Sequence, residues 1–123
     1  MIPEKNISDA ELEVMKVLWR EGRPLKFKFI QEELSKKMKW EKSTIATLLR
    51  RLQDKKAVHA AEKTRRNYMP SVSKDEYARA EEQIMIDNFY EGSAKNLVAS
   101  FCENGRLTEA DIDELKKYFK SLG

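Results

Sequence analysis

The side chains of this 123-residue chain best placed to do chemistry are cations, not nucleophiles. Between Lys42 and Lys55, the short side chains of Ser43, Thr44, Ala46 and Thr47 are interleaved with Arg50 and Arg51. Short residues let a helix backbone come close to another surface, while Arg and Lys meet phosphates or the acceptor edge of guanine. A second basic run, Lys63-Thr64-Arg65-Arg66, follows closely, and residues 36–66 hold 11 basic and 3 acidic side chains, a local +8. This pattern predicts a surface for double-stranded DNA. Thr44, Thr47 and Arg50 are the candidates for base edges, and Lys42, Ser43 and Arg51 for phosphates or helix positioning. Lys55 joins them as a further cation able to reach phosphate. Lys63, Arg65 and Arg66 are the candidates for the adjacent backbone. The alternative is an ordinary solvated charged face; concentration of the cations on two separate segments favours a polyanion.

Catalysis is poorly provided for. The sole histidine is His59 and the sole cysteine is Cys102. Metal sites need clusters of Cys, His and carboxylates, so no metal and no cofactor are expected. A Cys102–His59 nucleophile pair would have to form across the chain's two halves; a buried structural Cys and a surface His is the simpler reading. No Gly-rich phosphate loop is present, and Met15, Met38, Met69 and Met85 read as core filler or surface. The chain is not expected to be an enzyme.

The elements that must position these residues begin with three helix starts of one grammar. Ser8 with Glu11, Ser73 with Glu76, and Thr108 with Asp111 each form a capping box, and each cap is worth about 1 kcal/mol. The first helix should run to about Glu21, stopped by Gly22 and Pro24, with Leu12, Met15, Leu18 and Trp19 inward. A second spans about Phe27 to Met38, with Ile30 and Leu34 inward. After the short connection Lys39-Trp40-Glu41, a third spans about Lys42 to Lys55, with Ile45, Leu48, Leu49 and Leu52 on one face. Residues 57–62 and 67–72 then read as a two-stranded hairpin with the basic run at its tip. Pro70 lacks an amide hydrogen and belongs at an edge or a strand end. Three helices and a hairpin in this order are a winged helix-turn-helix.

The overall charge of +3 divides unevenly. Residues 1–72 carry 17 Lys+Arg and 10 Asp+Glu, or +7; residues 73–123 carry 7 and 11, or −4. The acidic half reads as three short helices, about 74–91, 93–103 and 109–122, each with an apolar stripe. Such helices bury too little surface to stand alone with ease. A second copy would cover Ile84, Phe89, Leu97, Val98, Phe101, Ile112, Leu115, Phe119 and Leu122, and would pair two recognition helices on a two-fold DNA site. Folding of these helices back onto residues 1–72 is the alternative. The expected fold is therefore mainly α with a small β-hairpin wing. A winged helix-turn-helix over residues 1–72 precedes a three-helix dimerisation region over 73–123. No stretch reaches the ~18 apolar residues of a membrane helix, the first residues lack the apolar core of a secretion signal, and one cysteine cannot form an intrachain disulfide. No membrane insertion and a cytoplasmic location are expected. A protein-binding adaptor that uses the winged helix without DNA is the alternative function.

Several stretches carry a resemblance. Ile7-Ser8-Asp9-Ala10-Glu11-Leu12-Glu13-Val14-Met15-Lys16-Val17-Leu18-Trp19, Ser43-Thr44-Ile45-Ala46-Thr47-Leu48-Leu49-Arg50-Arg51-Leu52, Tyr90 through Phe101, and Leu107-Thr108 through Leu115 are together fairly specific. In these the chain resembles the penicillinase repressor family, the BlaI/MecI group of bacterial winged-helix repressors, over nearly its full length. The resemblance implies a homodimeric transcriptional repressor on a palindromic operator, in several members that of β-lactamase or penicillin-resistance genes. It also implies relief of repression by a membrane sensor-protease pathway that cleaves within a Leu-Val-X-Asn-Phe motif. The corresponding bond here is Ser100–Phe101, with Ser100 where those repressors have Asn. Ala46 stands where those members carry Arg, and Arg50 where one has Thr, so a different operator is expected. The Cys-X-Cys pair of the copper-responsive branch is absent, so copper sensing through thiolates is not expected.

Overall fold

The computed structural model describes residues 6–61 and 67–123. The first helix, α1 (Asp9–Glu21), starts where expected: Ser8 Oγ accepts from Glu11 N–H at 3.1 Å and Glu11 Oε1 accepts from Ser8 N–H at 2.8 Å. It ends at Gly22, whose φ of 64° is the left-handed conformation that glycine adopts without a Cβ clash. A two-residue strand β1 (Leu25–Lys26) leads into α2 (Phe27–Met38) and α3 (Lys42–Asp54). Strands β2 (Val58–Ala60) and β3 (Asn67–Pro70) follow, and the chain continues as α4 (Lys74–Phe89), α5 (Ala94–Glu103) and α6 (Glu109–Leu122).

The expected antiparallel pair, β2 and β3, is present, and β1 adds a third strand to it. The sheet order is β1-β3-β2, antiparallel throughout, with Leu25 opposite Tyr68, Lys26 opposite Asn67, and His59 opposite Met69. A strand of two residues is too short to show alternation in sequence. What reveals it is the pairing of its backbone with β3. Pro70 is the last residue of the central strand, and the ladder passes to Ser71 N–H, which donates to Ala57 O at 2.8 Å. The missing proline donor therefore interrupts nothing.

Side chains of α1, α2, α3 and the sheet form one core. Met15, Leu18, Leu25, Ile30, Leu34, Ile45 and Leu52 are fully buried, with Leu48, Leu49, Val58 and Val72 nearly so. In α1 the inward stripe is broader than expected. Val14 and Val17 are buried, while Leu12 and Trp19 are only half-buried at its border. Trp19 Nε1–H donates to Val72 O at 2.9 Å, and its ring lies 5.9 Å from that of Tyr77. This anchors the end of β3 and the first turn of α4 on α1.

The chain divides into two units, one up to Ala80 and one from Glu81, with α4 running through the boundary. In the second unit no described residue is buried. Its helix starts are well made: Ser93 caps α5, and Thr108 and Asp111 close a capping box on α6. Several of its large apolar side chains stand exposed: Phe89 is 76% exposed, Phe119 56% and Leu122 68%. Cys102, expected among buried apolar neighbours, is exposed on α5. Among the described residues no helix is long and apolar enough to cross a membrane.

Candidate nucleic-acid interface

Helix α3 is divided sharply between two faces. At about 100° per residue, Ile45, Leu48, Leu49 and Leu52 occupy an arc of about 100°, and all four are buried. Ser43, Thr47 and Arg50 occupy an arc of about 60° centred on the opposite side. Ser43 and Arg50 are exposed, and Thr47 is half-buried. Thr44 and Arg51, both exposed, flank this face toward Leu48, and Lys42 and Ala46 flank the other edge. Among the described residues, Lys42, Arg50 and Arg51 pair with no carboxylate. Their charges are therefore available to an incoming polyanion.

The first turn of α3 adds to this. Glu41 stands at the N-cap but its side chain makes no cap hydrogen bond, and the turn contains no acidic residue. The N-terminal amides thus keep their donors and the positive end of the helix dipole, which favour a phosphate. Short side chains at Ser43, Thr44 and Ala46 leave room for a close approach.

Both ends of α3 are fixed to the rest of its unit. The turn between α2 and α3 begins at Lys39, which takes φ 60° and donates its N–H to Ser35 O at 3.2 Å; Ser35 Oγ donates to Trp40 O at 3.2 Å. At the far end, Ala57 N–H donates to Leu52 O at 2.9 Å and Lys56 N–H to Gln53 O at 3.0 Å, with Lys56 at φ 63°. These paired bonds are a Schellman motif. Lys55, the C-cap, is turned toward α1 and not outward beside Arg50 and Arg51. Its Nζ donates to Glu11 Oε1 and, at 2.8 Å, to Asn6 O. Glu11 is 1% exposed, and among the described residues its Oε2 has no partner. Burial pushes the Glu11 carboxyl up; hydrogen bonds from Lys55 and from Ser8, with the Lys55 charge, outweigh it and hold the carboxyl below its ordinary value. Lys37, exposed on α2, makes a surface ion pair with Glu13 on α1 at 3.3 Å.

The expected wing contacts Lys63, Arg65 and Arg66 lie outside the described residues. The strands that carry them converge correctly, since Ala61 N–H donates to Asn67 O at 2.8 Å. Sequence reasoning missed Lys26, which is exposed on β1 directly opposite Asn67. Only the strand pairing brings it beside the wing; nothing in the local sequence signals it. His59 is exposed on β2, with Nδ1 2.8 Å from Ser71 Oγ.

In the second unit, Leu97, Phe101, Ile112 and Leu115 are half-buried, whereas Ile84, Phe89, Val98, Phe119 and Leu122 are exposed. Ser100 and Phe101 both lie inside α5 and are half-buried.

Three helices closed by an antiparallel wing, with the third helix buried on one face and polar and basic on the other, define a winged helix-turn-helix protein. The family model described as penicillinase repressor matches residues 7–121, and the chain belongs to that family. It is 37% identical over 110 residues to the penicillinase repressor of Bacillus licheniformis, covering 89% of this chain and 85% of that one. It is 29% identical over 111 residues to the methicillin resistance regulatory protein MecI of Staphylococcus aureus (strain N315), covering 89% of each. Among solved structures it is similar to the DNA-binding domain of the repressor BlaI, with a TM-score of 0.52 and 41% identity over 63% of this chain and 92% of that one. It is also similar to the Bacillus licheniformis BlaI monomeric form in complex with the blaP half-operator, with a TM-score of 0.51 and 38% identity over 63% and 94%.

Proposed function

We propose that this chain is a sequence-specific DNA-binding transcriptional repressor that acts as a homodimer on a palindromic operator, without catalysis. The observation that carries the reading is the outer face of α3. Short side chains and unpaired cations stand opposite a buried face, on a fold shared with a repressor solved on its half-operator. Thr44, Thr47 and Arg50 meet base edges in the major groove, Lys42, Ser43 and Arg51 meet phosphates or position the helix, and Lys63, Arg65 and Arg66 meet the neighbouring backbone. The DNA-binding domain is assigned to residues 1–72 and the dimerisation region to 73–123. The second unit supports the dimer, because its apolar side chains are unburied in one chain. A two-fold pair sets the half-sites about one helical turn, 34–36 Å, or a multiple of it apart. Such a role places the protein in the compartment that holds the DNA.

The test is selection of binding sites from a random DNA pool, followed by titration at several salt concentrations. The expected result is a palindromic consensus with affinity that falls steeply with salt. No enriched sequence, or a flat salt response, overturns the reading in favour of a protein adaptor. A monomer at micromolar concentration by light scattering overturns the dimer. Relief of repression through a membrane sensor-protease pathway, with cleavage at Ser100–Phe101, is the coupled proposal. Intact chain mass throughout induction in the native cell refutes it.

A further inference from the structure

Four apolar side chains hold α3 on α1 and α2, and apolar contact has no preferred direction. A helix face held in this way resists roll weakly, and a roll moves every base-reading side chain together. The hydrogen-bonded turns at its two ends limit the motion, and among the described residues one side chain at the end of α3, Lys55, makes a directional bond to α1. Lys55 is the residue that ends α3, and at about 100° per residue it lies about 20° from the direction of buried Leu48, on the core side of Arg51. Its ammonium reaches the first turn of α1, where Glu11 Oε1 accepts from it and from Ser8 N–H. Asn6 O takes a second Nζ hydrogen at 2.8 Å. Among the described residues Oε2 has no partner, and the buried carboxylate is compensated through Oε1. Charged hydrogen bonds of this kind add geometric specificity as well as energy.

We propose that Lys55 is a positioning residue for operator recognition. Clamped by Glu11, it fixes the roll of α3 on α1 and thereby aims Ser43, Thr47 and Arg50, while it contacts no phosphate itself. The proposal rests on the DNA-binding reading above. It separates two properties that a surface cation would affect together, operator preference and general attraction to DNA.

The experiment compares the full-length protein with Glu11→Gln, Lys55→Met and Lys55→Arg. Each is titrated against the selected operator and a random duplex of equal length, over a salt series, at a temperature where circular dichroism shows the variant folded. Glu11→Gln keeps the acceptor for Ser8 and every outward cation. Glu11→Gln and Lys55→Met should each lose about tenfold or more of the operator-to-random preference, with random-duplex affinity and salt slope unchanged. Lys55→Arg should retain most of the preference. If Lys55 instead meets a phosphate, Lys55→Met weakens both duplexes alike and flattens the slope by about 0.9, and freeing the cation by Glu11→Gln tightens both; either result overturns the proposal. Equal loss on both duplexes in step with lost folding overturns it as well. Should Lys55→Met fail to fold, Glu11→Gln decides. A wild-type chain that selects no sequence overturns the repressor reading itself, whereas selection that the variants leave intact overturns only the role of Lys55.

Discussion

Replacement of Glu11 by Gln should destabilise the first unit strongly at neutral pH and hardly at all in acid. Glu11 is 1% exposed and shares one oxygen between Lys55 and the Ser8 amide. Breaking a buried ion pair by neutralising one partner costs about 3–5 kcal/mol. Here the figure belongs near the lower end, about 3 kcal/mol, because Gln keeps the Ser8 bond and Lys55 can turn to solvent. For a unit of this size each kcal/mol shifts the midpoint by about 4–8 °C, so a fall of about 12 °C or more is expected. The pH dependence supplies the decisive sign. The Glu11 carboxyl is held below its ordinary value in the folded chain, so its contribution is fully present above the unfolded pKa of ~4.3 and is lost as pH falls through the folded value. Thermal unfolding of both proteins from pH 7 to pH 2.5 should therefore show curves that converge in acid. Other carboxylates titrate in both proteins and cancel in the difference. A wild-type to variant gap that stays constant to pH 2.5, or one below about 1 kcal/mol at pH 7, would refute the assignment of a compensated buried charge.

Arg50→Ala should cost about 1–3 kcal/mol of operator affinity and relax preference at one base position, read by competition with single-base operator variants. Phe119→Asp should shift the protein toward monomer in sedimentation equilibrium at micromolar concentration, since it places a charge on an apolar, 56% exposed ring of α6; an unchanged dimer removes that ring from the interface. Lys56→Gly should raise stability by about 0.5–1 kcal/mol, because the residue sits at φ 63° in the Schellman turn, where any Cβ is strained. Chemical denaturation measures the gain, and a loss would show that the Lys56 side chain makes a compensating contact.

The helix starts and the core of α3 were legible because each is encoded locally. Capping boxes bring together residues three apart, and Ile45, Leu48, Leu49 and Leu52 repeat with the helical period. The fold class follows from the order of such elements. The rest was hidden for the opposite reason. Strand β1 exists only through pairing with β3, more than forty residues away in sequence, and Lys26 gains its place beside the wing through that pairing. Lys55 looks in sequence like the other cations of a basic run. Its carboxylate partner on α1 lies 44 residues away, so composition counts it with the outward cations while the fold pairs it with buried Glu11. The local +8 thus overstates the charge α3 and its flanks can offer.

That subtraction explains how recognition can vary without disturbing the fold. The residues that fasten α3 are Ile45, Leu48, Leu49, Leu52 and Lys55, and none belongs to the arc centred on Ser43, Thr47 and Arg50. Ala46 is exposed, so a longer side chain there would extend into solvent and leave the core contacts intact. Substitutions at Ala46 and Arg50 should therefore change which bases are preferred at near-constant stability, since exposed sites away from caps and networks usually shift it by less than about 0.5 kcal/mol. Substitutions at Lys55 or Glu11 should do the reverse and lower both stability and preference. An operator change is then expected to travel through the outer arc, with the Glu11–Lys55 clamp held fixed. Exchange of residues 43, 46, 47 and 50 for those of a relative with a known operator should transfer its base preference. Failure of that exchange in a folded protein would place part of the specificity outside α3.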